Sequence, residues 1–181
     1  MFALIDEEDY NKINSFCWTP VCIGSYTYAR RFIWEPKINK LQWFFMQYDV
    51  LGMQKSKEKI VTFKNFNGLD CRKENLLVGT RSQVSIHSRK KAGSLSGYKG
   101  VSRIIAGKNN LIYYRTQIPH CIIFKNAKTA AIWYDIISRE LYGEFASNNN
   151  FLINDTTRKS ALELSKTERR HFSDEFEKLL V

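Results

Sequence analysis

The chain has 181 residues, 44% of them apolar, which suffices for the core of one ordinary domain or of two small ones and excludes general disorder. Its apolar runs are far shorter than the roughly 18 residues of a membrane span, so we expect no transmembrane helix and no membrane partner. The net charge of +10 is concentrated in residues 61–125, which hold 12 Lys and Arg against 2 Asp and Glu. This favours a polyanionic partner over a basic surface that serves solubility alone.

Acidic residues occupy positions 6–9, so neither a signal peptide nor a transit peptide can be read there, and we expect a cytoplasmic protein. The four cysteines form no Cys-x-x-Cys pair and stand beside no histidine cluster, which argues against a zinc site and against a disulfide framework. We therefore expect no metal, no cofactor and four buried, reduced thiols. These are Cys17, Cys22, Cys71 and Cys121.

The amino-terminal part predicts short strands, with one short helix near the start. Asp6 stands where an N-cap would, directly after a strand end at Ile5. Residues 25–34 and 41–46 are rich in aromatic and β-branched side chains, and residues 36–40 interrupt them. This pattern predicts a β-hairpin.

The middle of the chain predicts a turn, a short apolar element and a linker. Residues 67–70 (Asn-Gly-Leu-Asp) favour a turn that uses the backbone freedom of glycine or asparagine, and residues 75–78 form the apolar element after it. Residues 88–97 are rich in Ser, Gly, Lys and Arg and have no apolar period. We expect them to be exposed and mobile unless a partner orders them.

The second half predicts a three-stranded meander followed by a helix. Residues 98–105, 111–118 and 121–124 read as strands joined by turns, and helical spacing of apolar residues begins at Ala127. Gly143 is placed to end this helix, and we expect the helix to pack on the sheet. Trp133 on the helix is interpreted as a core residue rather than a contact.

The carboxyl-terminal tail contains amphipathic helical stretches, with a capping-box pattern at Ser165-x-x-Glu168. The pattern leaves three roles open: capping a core, docking a partner protein, or adding phosphate contacts. The cations for that last role are Arg158, Lys159, Arg169 and Arg170.

Several motifs in the second half carry a resemblance to a known family. They are Ser96-Gly97-Tyr98-Lys99-Gly100-Val101-Ser102, Tyr114-Arg115-Thr116-Gln117-Ile118, Ala130-Ala131-x-x-Tyr134-Asp135 and Leu141-Tyr142-Gly143-Glu144-Phe145-Ala146. In this order and spacing the segment resembles the AP-two (ethylene-response-factor) domain that some phage-type HNH homing endonucleases carry at their carboxyl end. The resemblance implies a three-stranded sheet that inserts into the major groove of DNA.

The first half is similar to the same family. Its matching segments are Leu4–Tyr10, Trp18, Tyr28-Ala29-Arg30 and Asn67-Gly68-Leu69-Asp70-x-Arg72-x-x-Asn75-Leu76, so the resemblance covers about residues 2–146. It implies an HNH-like ββα lobe. The expected fold class is therefore α+β, with a degenerate HNH-like domain at 1–87, a basic linker at 88–97, an AP-two-like domain at 98–146 and a helical tail at 147–181.

The residues at the family's catalytic positions differ from its pattern. The family's Asp-His pair aligns with Thr62-Phe63, and an earlier family histidine aligns with the segment Gln47-Tyr48-Asp49, while Asn65 is retained. Phenylalanine cannot accept a proton, and threonine replaces a carboxylate poorly as a metal ligand. The three histidines, His87, His120 and His171, are dispersed along the chain. We therefore expect no enzymatic activity, with residual nuclease activity as an alternative.

Binding without catalysis is the function that this pattern favours. The first hypothesis is a structural protein that binds ribosomal RNA within a ribosomal particle, beside neighbouring ribosomal proteins. The second is a sequence-specific DNA-binding protein of phage or mobile-element origin, in which Arg103 and Arg115 would enter the groove together. The candidate contact residues are Lys64, Arg72, Lys73, Arg81, Arg89, Lys90, Lys91, Tyr98, Lys99, Arg103, Lys108, Tyr114 and Arg115.

Overall fold

The computed structural model describes residues 1–90, 92–106, 109–118 and 121–165. The chain divides into two compact units, Met1–Ser85 and a second unit that begins at Ile86. In the described part of the chain, three small antiparallel sheets accompany five helices, so the expected α+β class is confirmed. None of these helices combines the length and the apolar character needed to cross a membrane.

The first unit contains a three-stranded antiparallel meander that confirms the predicted hairpin. Its strands are β1 (Thr19–Ile23), β2 (Tyr26–Glu35) and β3 (Lys40–Phe45), in the order β1-β2-β3. Alternation of aromatic and β-branched residues favours strands here, because such side chains pack well on a pleated surface. Asn39 closes the β2–β3 turn with a φ of 52°, a left-handed conformation that asparagine adopts at low cost.

The remaining elements of the first unit are short. They are helix α1 (Tyr10–Asn14), helix α2 (Met46–Val50), strand β4 (Ile60–Phe63) and strand β5 (Leu76–Gly79), and helix α3 (Arg81–Ile86) follows β5 along the chain. Strands β4 and β5 form an antiparallel pair.

The core of the first unit is built from both sheets and the two short helices. Phe63 of β4 is buried beneath Tyr28 of β2, whose ring also meets Phe45. Met46 and Ile13 bring α2 and α1 into the same cluster. The hydrophobic contacts thus tie the meander to the β4–β5 pair.

Asp6 does not cap a helix as predicted. Its side chain makes no cap hydrogen bond, and Asp6 Oδ2 instead accepts a bond of 2.7 Å from the backbone N–H of Lys73. The carboxylate therefore joins two segments distant in sequence. A pattern read from neighbouring residues could not anticipate such a partner.

The turn predicted at 67–70 is confirmed, but glycine is required there for another reason. Asn67 Oδ1 accepts the N–H of Leu69 at 3.1 Å, and the Asp70 N–H donates to the Asn67 carbonyl. A Cβ at Gly68 would lie 2.4 Å from the carbonyl oxygen of Thr27. Close approach to β2, rather than a left-handed φ, therefore excludes a side chain at this position.

The second unit has the predicted meander and helix, but its first strand begins at Ser102 and not at residue 98 as predicted. Strands β6 (Ser102–Ala106), β7 (Leu111–Thr116) and β8 (Ile122–Phe124) form an antiparallel sheet, and helix α4 spans Ala127–Tyr142. Asn126 Oδ1 accepts the N–H groups of the first helical turn and caps the helix.

The helix ends where the sequence predicts, since Gly143 follows it with a φ of 52°. Trp133 is completely buried against Phe124, so its interpretation as a core residue is confirmed. Of the predicted helical tail, helix α5 (Asp155–Ser165) is described, and it brings Ala161 into the same core. Of the capping-box pattern at 165–168, Ser165 is the last residue of α5, while the rest of the pattern, together with Arg169 and Arg170, falls outside the described residues.

The predicted linker at 88–97 is only partly exposed. Arg89 and Lys90 are exposed as expected, whereas Ser96 is buried and its hydroxyl donates to the Val101 carbonyl at 2.8 Å. Ser94 Oγ lies 3.0 Å from Ser96 Oγ. The serines that suggested a linker are therefore used to fold this segment onto the second unit.

The expectation of four buried thiols is correct only for Cys71. Cys71 is fully buried, and burial raises the pKa of its thiol to about 12, which makes it unreactive. Cys17 and Cys22 are exposed and Cys121 is half-buried, and all four are free.

Candidate nucleic-acid interface

The sheet of the second unit presents two chemically different faces. Residues paired across antiparallel strands lie on the same face, and successive residues alternate between faces. Tyr114 of β7 pairs with Arg103 of β6 and with Phe124 of β8. Since Phe124 is completely buried against Trp133 of α4, this is the face towards the helix.

The opposite face, here called the outer face, consists of Ser102, Ile104, Ala106, Leu111, Tyr113, Arg115 and Ile123. Tyr113 and Arg115 are two residues apart on β7 and half-buried. The Arg115 Nε–H is buried and has no hydrogen-bond partner among the described residues. The outer face therefore combines one guanidinium and one phenol ring with apolar neighbours.

The expectation that Arg103 and Arg115 enter one groove together is wrong. Arg103 pairs with Tyr114, the neighbour of Arg115, so the two guanidinium groups leave opposite faces of the sheet. Arg103 is exposed on the edge strand β6. A single duplex groove filled by this sheet could not receive both side chains from the same face.

Tyr113, rather than Tyr114, lies on the outer face with Arg115. Tyr114 packs against the helix-side core. The period-two alternation of β7 would have identified this difference once the buried face was known, because residues 113 and 115 share a face. The sequence alone does not say which of two adjacent tyrosines faces the helix.

Charge is distributed asymmetrically around this sheet. The sequence contains no Asp or Glu between Glu74 and Asp135. Arg89, Lys90 and Arg103 are exposed within this interval, and the Lys90 ammonium donates to the Gly97 carbonyl at 2.9 Å. The basic surface of the second unit therefore has no acidic side chain from its own strands to neutralise it.

Lys99 is wrongly predicted as a contact residue. The side chain is buried, and its ammonium donates to the carbonyl oxygens of Ile86 and Ser88, each at 2.5 Å. Burial lowers the pKa of Lys99 to about 8, with an opposing contribution from Asp135. Lys99 therefore fastens the start of the second unit and is not available to a phosphate.

Tyr98 also has a structural position. Its ring is half-buried and lies 5.6 Å from the ring of Phe151, centroid to centroid. The Tyr98 N–H donates to Ser96 Oγ at 3.2 Å. Both contacts hold the segment before β6 against the core of the second unit.

A buried carboxylate supports this arrangement. Asp135 of α4 is completely buried and accepts bonds from the Asn149 backbone N–H and side-chain amide at 2.8–2.9 Å. Asn149 Oδ1 in turn accepts the Lys99 N–H at 2.8 Å. Desolvation raises the pKa of Asp135, with the Asn149 bonds acting in the opposite direction. The network connects the helix to the segment before β6.

Two of the four predicted cations of the first unit are paired with acidic side chains. Arg72 contacts Asp70 and Glu74, each at 2.8 Å. Lys73 contacts Asp9 at 2.9 Å and also Glu8. The Arg72 guanidinium holds the pKa of Asp70 below its usual range.

Two further predicted cations of the first unit, Lys64 and Arg81, have exposed side chains. Arg81 is the first residue of α3. Lys91 and Lys108 lie outside the described residues, so the structure does not place them. Of the predicted set in the second unit, Arg89, Lys90 and Arg103 are exposed and Arg115 is half-buried.

The positions aligned with the family's catalytic residues are occupied by packing side chains. Phe63 lies in the core of the first unit, and Gln47 is buried. The Tyr48 hydroxyl accepts the Val61 N–H at 3.3 Å. Asn65 donates to Asp70 Oδ2 at 2.8 Å.

Among the described residues, no group of three or more His, Cys, Asp and Glu side chains is placed to hold a metal ion. Comparison with known protein families, curated proteins and solved structures finds no match.

Proposed function

We propose that this protein binds nucleic acid without catalysis, and that its partner is structured ribosomal RNA within a ribosomal particle. We also propose that the protein contacts neighbouring ribosomal proteins and that it is located in the cytoplasm. The observation that carries the proposal is the interval without Asp or Glu from Glu74 to Asp135, within which Lys90 and Arg103 are exposed. A segment that contains cations and no acids is suited to phosphate contacts, which dominate affinity for nucleic acids.

The arrangement of the sheet favours RNA over sequence-specific DNA binding. Arg103 and Arg115 lie on opposite faces, so they cannot read adjacent bases in one major groove. Phosphate and shape recognition needs no such common face, because contacts from several sides of a small protein can follow a folded RNA. The two arginines are therefore proposed as phosphate contacts.

We further propose that β4, β5 and α3 are a degenerate HNH-like ββα lobe and that the second unit is AP-two-like. The chain order strand, strand, helix supports the first assignment. The buried Phe63 and Gln47 at the aligned histidine positions support the absence of catalysis. Loss of a general base alone costs about 10²- to 10⁴-fold in rate.

Sedimentation of a native lysate through a sucrose gradient tests the proposed partner. The protein is expected to co-sediment with a ribosomal particle, to leave it after ribonuclease treatment, and to remain on it through a high-salt wash. Recovery only in light fractions, or with DNA, would overturn the ribosomal proposal and favour a DNA-binding protein or a residual nuclease.

Salt dependence tests the proposed contacts directly. If six to eight cations meet phosphates, log Kd should rise with log salt by about 0.7 to 0.9 per contact. Replacing Arg103→Gln or Arg115→Gln should lower this slope by about one contact. Lys57→Gln, which removes an exposed charge from the first unit, is the matched control and should leave the slope unchanged. A flat salt dependence of the unmodified protein would contradict the proposal.

A further inference from the structure

The β2–β3 hairpin of the first unit exposes a face of large aromatic side chains. Phe32 pairs with Trp43 and Trp34 pairs with Leu41, so these four side chains lie on one face of the hairpin. Each is between 44% and 54% exposed. This set is called the aromatic face below. A hairpin usually places such residues against a core, so their exposure needs an explanation.

Two rings of the aromatic face contact each other, and a guanidinium group lies over one of them. The ring centroids of Phe32 and Trp43 are 5.6 Å apart, in an edge-to-face arrangement. The guanidinium carbon of Arg30 lies 3.9 Å from the centroid of the Trp43 ring. Arg30 lies on the same face of β2 as Phe32, two residues away.

The charge around the hairpin is positive. Lys37 and Lys40 are exposed at its tip, and the sequence has one acid between Asp9 and Asp49, namely Glu35. Glu35 Oε1 accepts the Lys37 backbone N–H at 3.4 Å. The aromatic face is therefore bordered by more cations than anions.

We propose that the aromatic face stacks unpaired bases of the bound nucleic acid, with Arg30 contacting an adjacent phosphate; this rests on the proposed function. Aromatic side chains stack on any base, and neighbouring cations follow the backbone. Phe32 and Trp34 are two residues apart on one strand, about 6.6 Å. Consecutive stacked nucleotides rise by about 3.4 Å, so two bases that stack on these two rings cannot also stack on each other. The bases of a single-stranded loop can be separated in this way, whereas those of a duplex stay stacked.

A second copy of the chain fits this face less well than an anionic strand. A symmetric pair would bring the same surface, including Arg30, into contact with itself. Like charges would then oppose each other across the contact. An anionic strand complements Arg30 and still buries the rings.

Matched variants separate ring stacking from simple apolar contact. The double variant Trp34→Leu with Trp43→Leu removes the two indole rings, keeps apolar side chains there and leaves Phe32 in place. The variant Trp34→Phe with Trp43→Phe keeps aromatic rings at both positions. The affinity for a 12-nucleotide oligouridine would be measured by letting the unlabelled strand compete with a labelled RNA. The affinity for an RNA duplex of equal length would be measured in the same way. The leucine variant should lose roughly five- to hundredfold in affinity for the single strand per stacked ring. The phenylalanine variant should lose much less.

Tryptophan fluorescence gives a second readout on the unmodified protein. Two of the four tryptophans lie on the aromatic face, Trp133 is buried, and the Trp18 indole N–H donates to the Ile13 carbonyl. Stacking of bases should quench the fluorescence of the two exposed tryptophans.

Two controls accompany the variants. Binding of the RNA duplex should be unchanged in the leucine variant, and thermal unfolding should confirm that both variants fold.

The outcomes separate this inference from the proposed function. If the leucine variant binds oligouridine as tightly as the unmodified protein does, the stacking proposal is wrong. Salt-dependent binding of the duplex would in that case still support the proposed function. If the unmodified protein binds neither RNA, the proposed function fails and this inference fails with it. If sedimentation shows a concentration-dependent dimer that the leucine variant loses, the face is a self-interface and the stacking proposal is overturned.

Discussion

The two units treat their cations differently. In the first unit, Arg72 and Lys73 are paired with acidic side chains from the same unit. In the second unit, the sheet and its flanks carry no acid at all up to Asp135. A count of cations along the sequence therefore overstates the charge that the first unit can offer to a partner. Pairing within the fold decides which charges remain for binding.

The units also differ in the groups that hydrogen-bond to their buried carboxylates. Asp70 of the first unit is held by the Arg72 guanidinium, which lowers the pKa of the carboxyl. Asp135 of the second unit is held by the neutral amide of Asn149, and desolvation raises its pKa. One carboxylate is thus stabilised as an anion, while the other is buried at an electrostatic cost.

The largest effect expected from a single change is at Gly100 in the second unit. Gly100 has a φ of 72°, and a Cβ there would lie 2.0 Å from the Tyr134 ring, which is itself buried. Gly100→Ala should therefore lower the free energy of unfolding by about 3 kcal/mol, from backbone strain and overpacking together. Urea unfolding measures this loss.

Gly97→Ala is the matched control for that substitution. Gly97 has a φ of 74°, but nothing lies within 4 Å of the added Cβ. It should cost about 1 kcal/mol, the backbone contribution alone. Equal losses at the two positions would show that the Tyr134 ring moves aside and that the contact does not constrain the second unit.

The next effect is at Asp70. Asp70→Asn should lower the free energy of unfolding by about 2 kcal/mol at neutral pH, because bonds to a charged partner are lost. The pKa of Asp70 is lower in the fold than in the unfolded chain, so the unfolded state binds more protons as the pH falls below 3.8. The stability from Asp70 is therefore lost as the pH falls through its folded pKa.

Chemical unfolding at several pH values checks this sign. The difference between the unmodified protein and Asp70→Asn should shrink between about pH 5 and pH 2. A difference that stays constant over this range would mean that the Arg72 contact does not favour the carboxylate form.

Asp135→Asn should have a smaller effect, about 1 kcal/mol at neutral pH, because it removes a desolvated charge along with its hydrogen bonds. The pKa of Asp135 is higher in the fold, so the folded state binds more protons above pH 3.8. The contribution of Asp135 to stability therefore declines as the pH rises through its folded pKa.

The same titration distinguishes the two carboxylates. The stability difference between the unmodified protein and Asp135→Asn should grow as the pH falls from 7 towards 4, opposite to the trend for Asp70→Asn. Parallel trends at the two sites would remove the contrast between the units.

Local chemistry allowed much of the second unit to be predicted. Helical spacing from Ala127 and the glycine at 143 gave the limits of α4, because capping and termination depend on adjacent residues. The site was harder to predict, since the roles of Lys99, Arg72 and Lys73 are decided by partners distant in sequence or by burial. Alternation along a strand, which separates Arg103 from Arg115, has meaning only once the pairing register is known.

The exposure of the aromatic face could not be predicted from the sequence either. The sequence predicted the hairpin that contains Phe32 and Trp43, but apolar alternation normally indicates a buried face. Here the packed contacts of the meander lie nearer its base, at Tyr28 and Phe45, and leave the distal rings exposed. Which part of a hairpin meets the core is a tertiary property.

The smallest effect tests the difference in charge pairing between the units. Lys73→Gln removes a cation that contacts Glu8 and Asp9, so RNA affinity and its salt slope should change little. Arg103→Gln removes an exposed cation of the second unit and should lower the slope by about 0.7 to 0.9. Affinities measured at four salt concentrations give both slopes. If Lys73→Gln lowers the slope as much as Arg103→Gln does, the acidic partners of Lys73 release it on binding, and the first unit contributes its full charge to the interface.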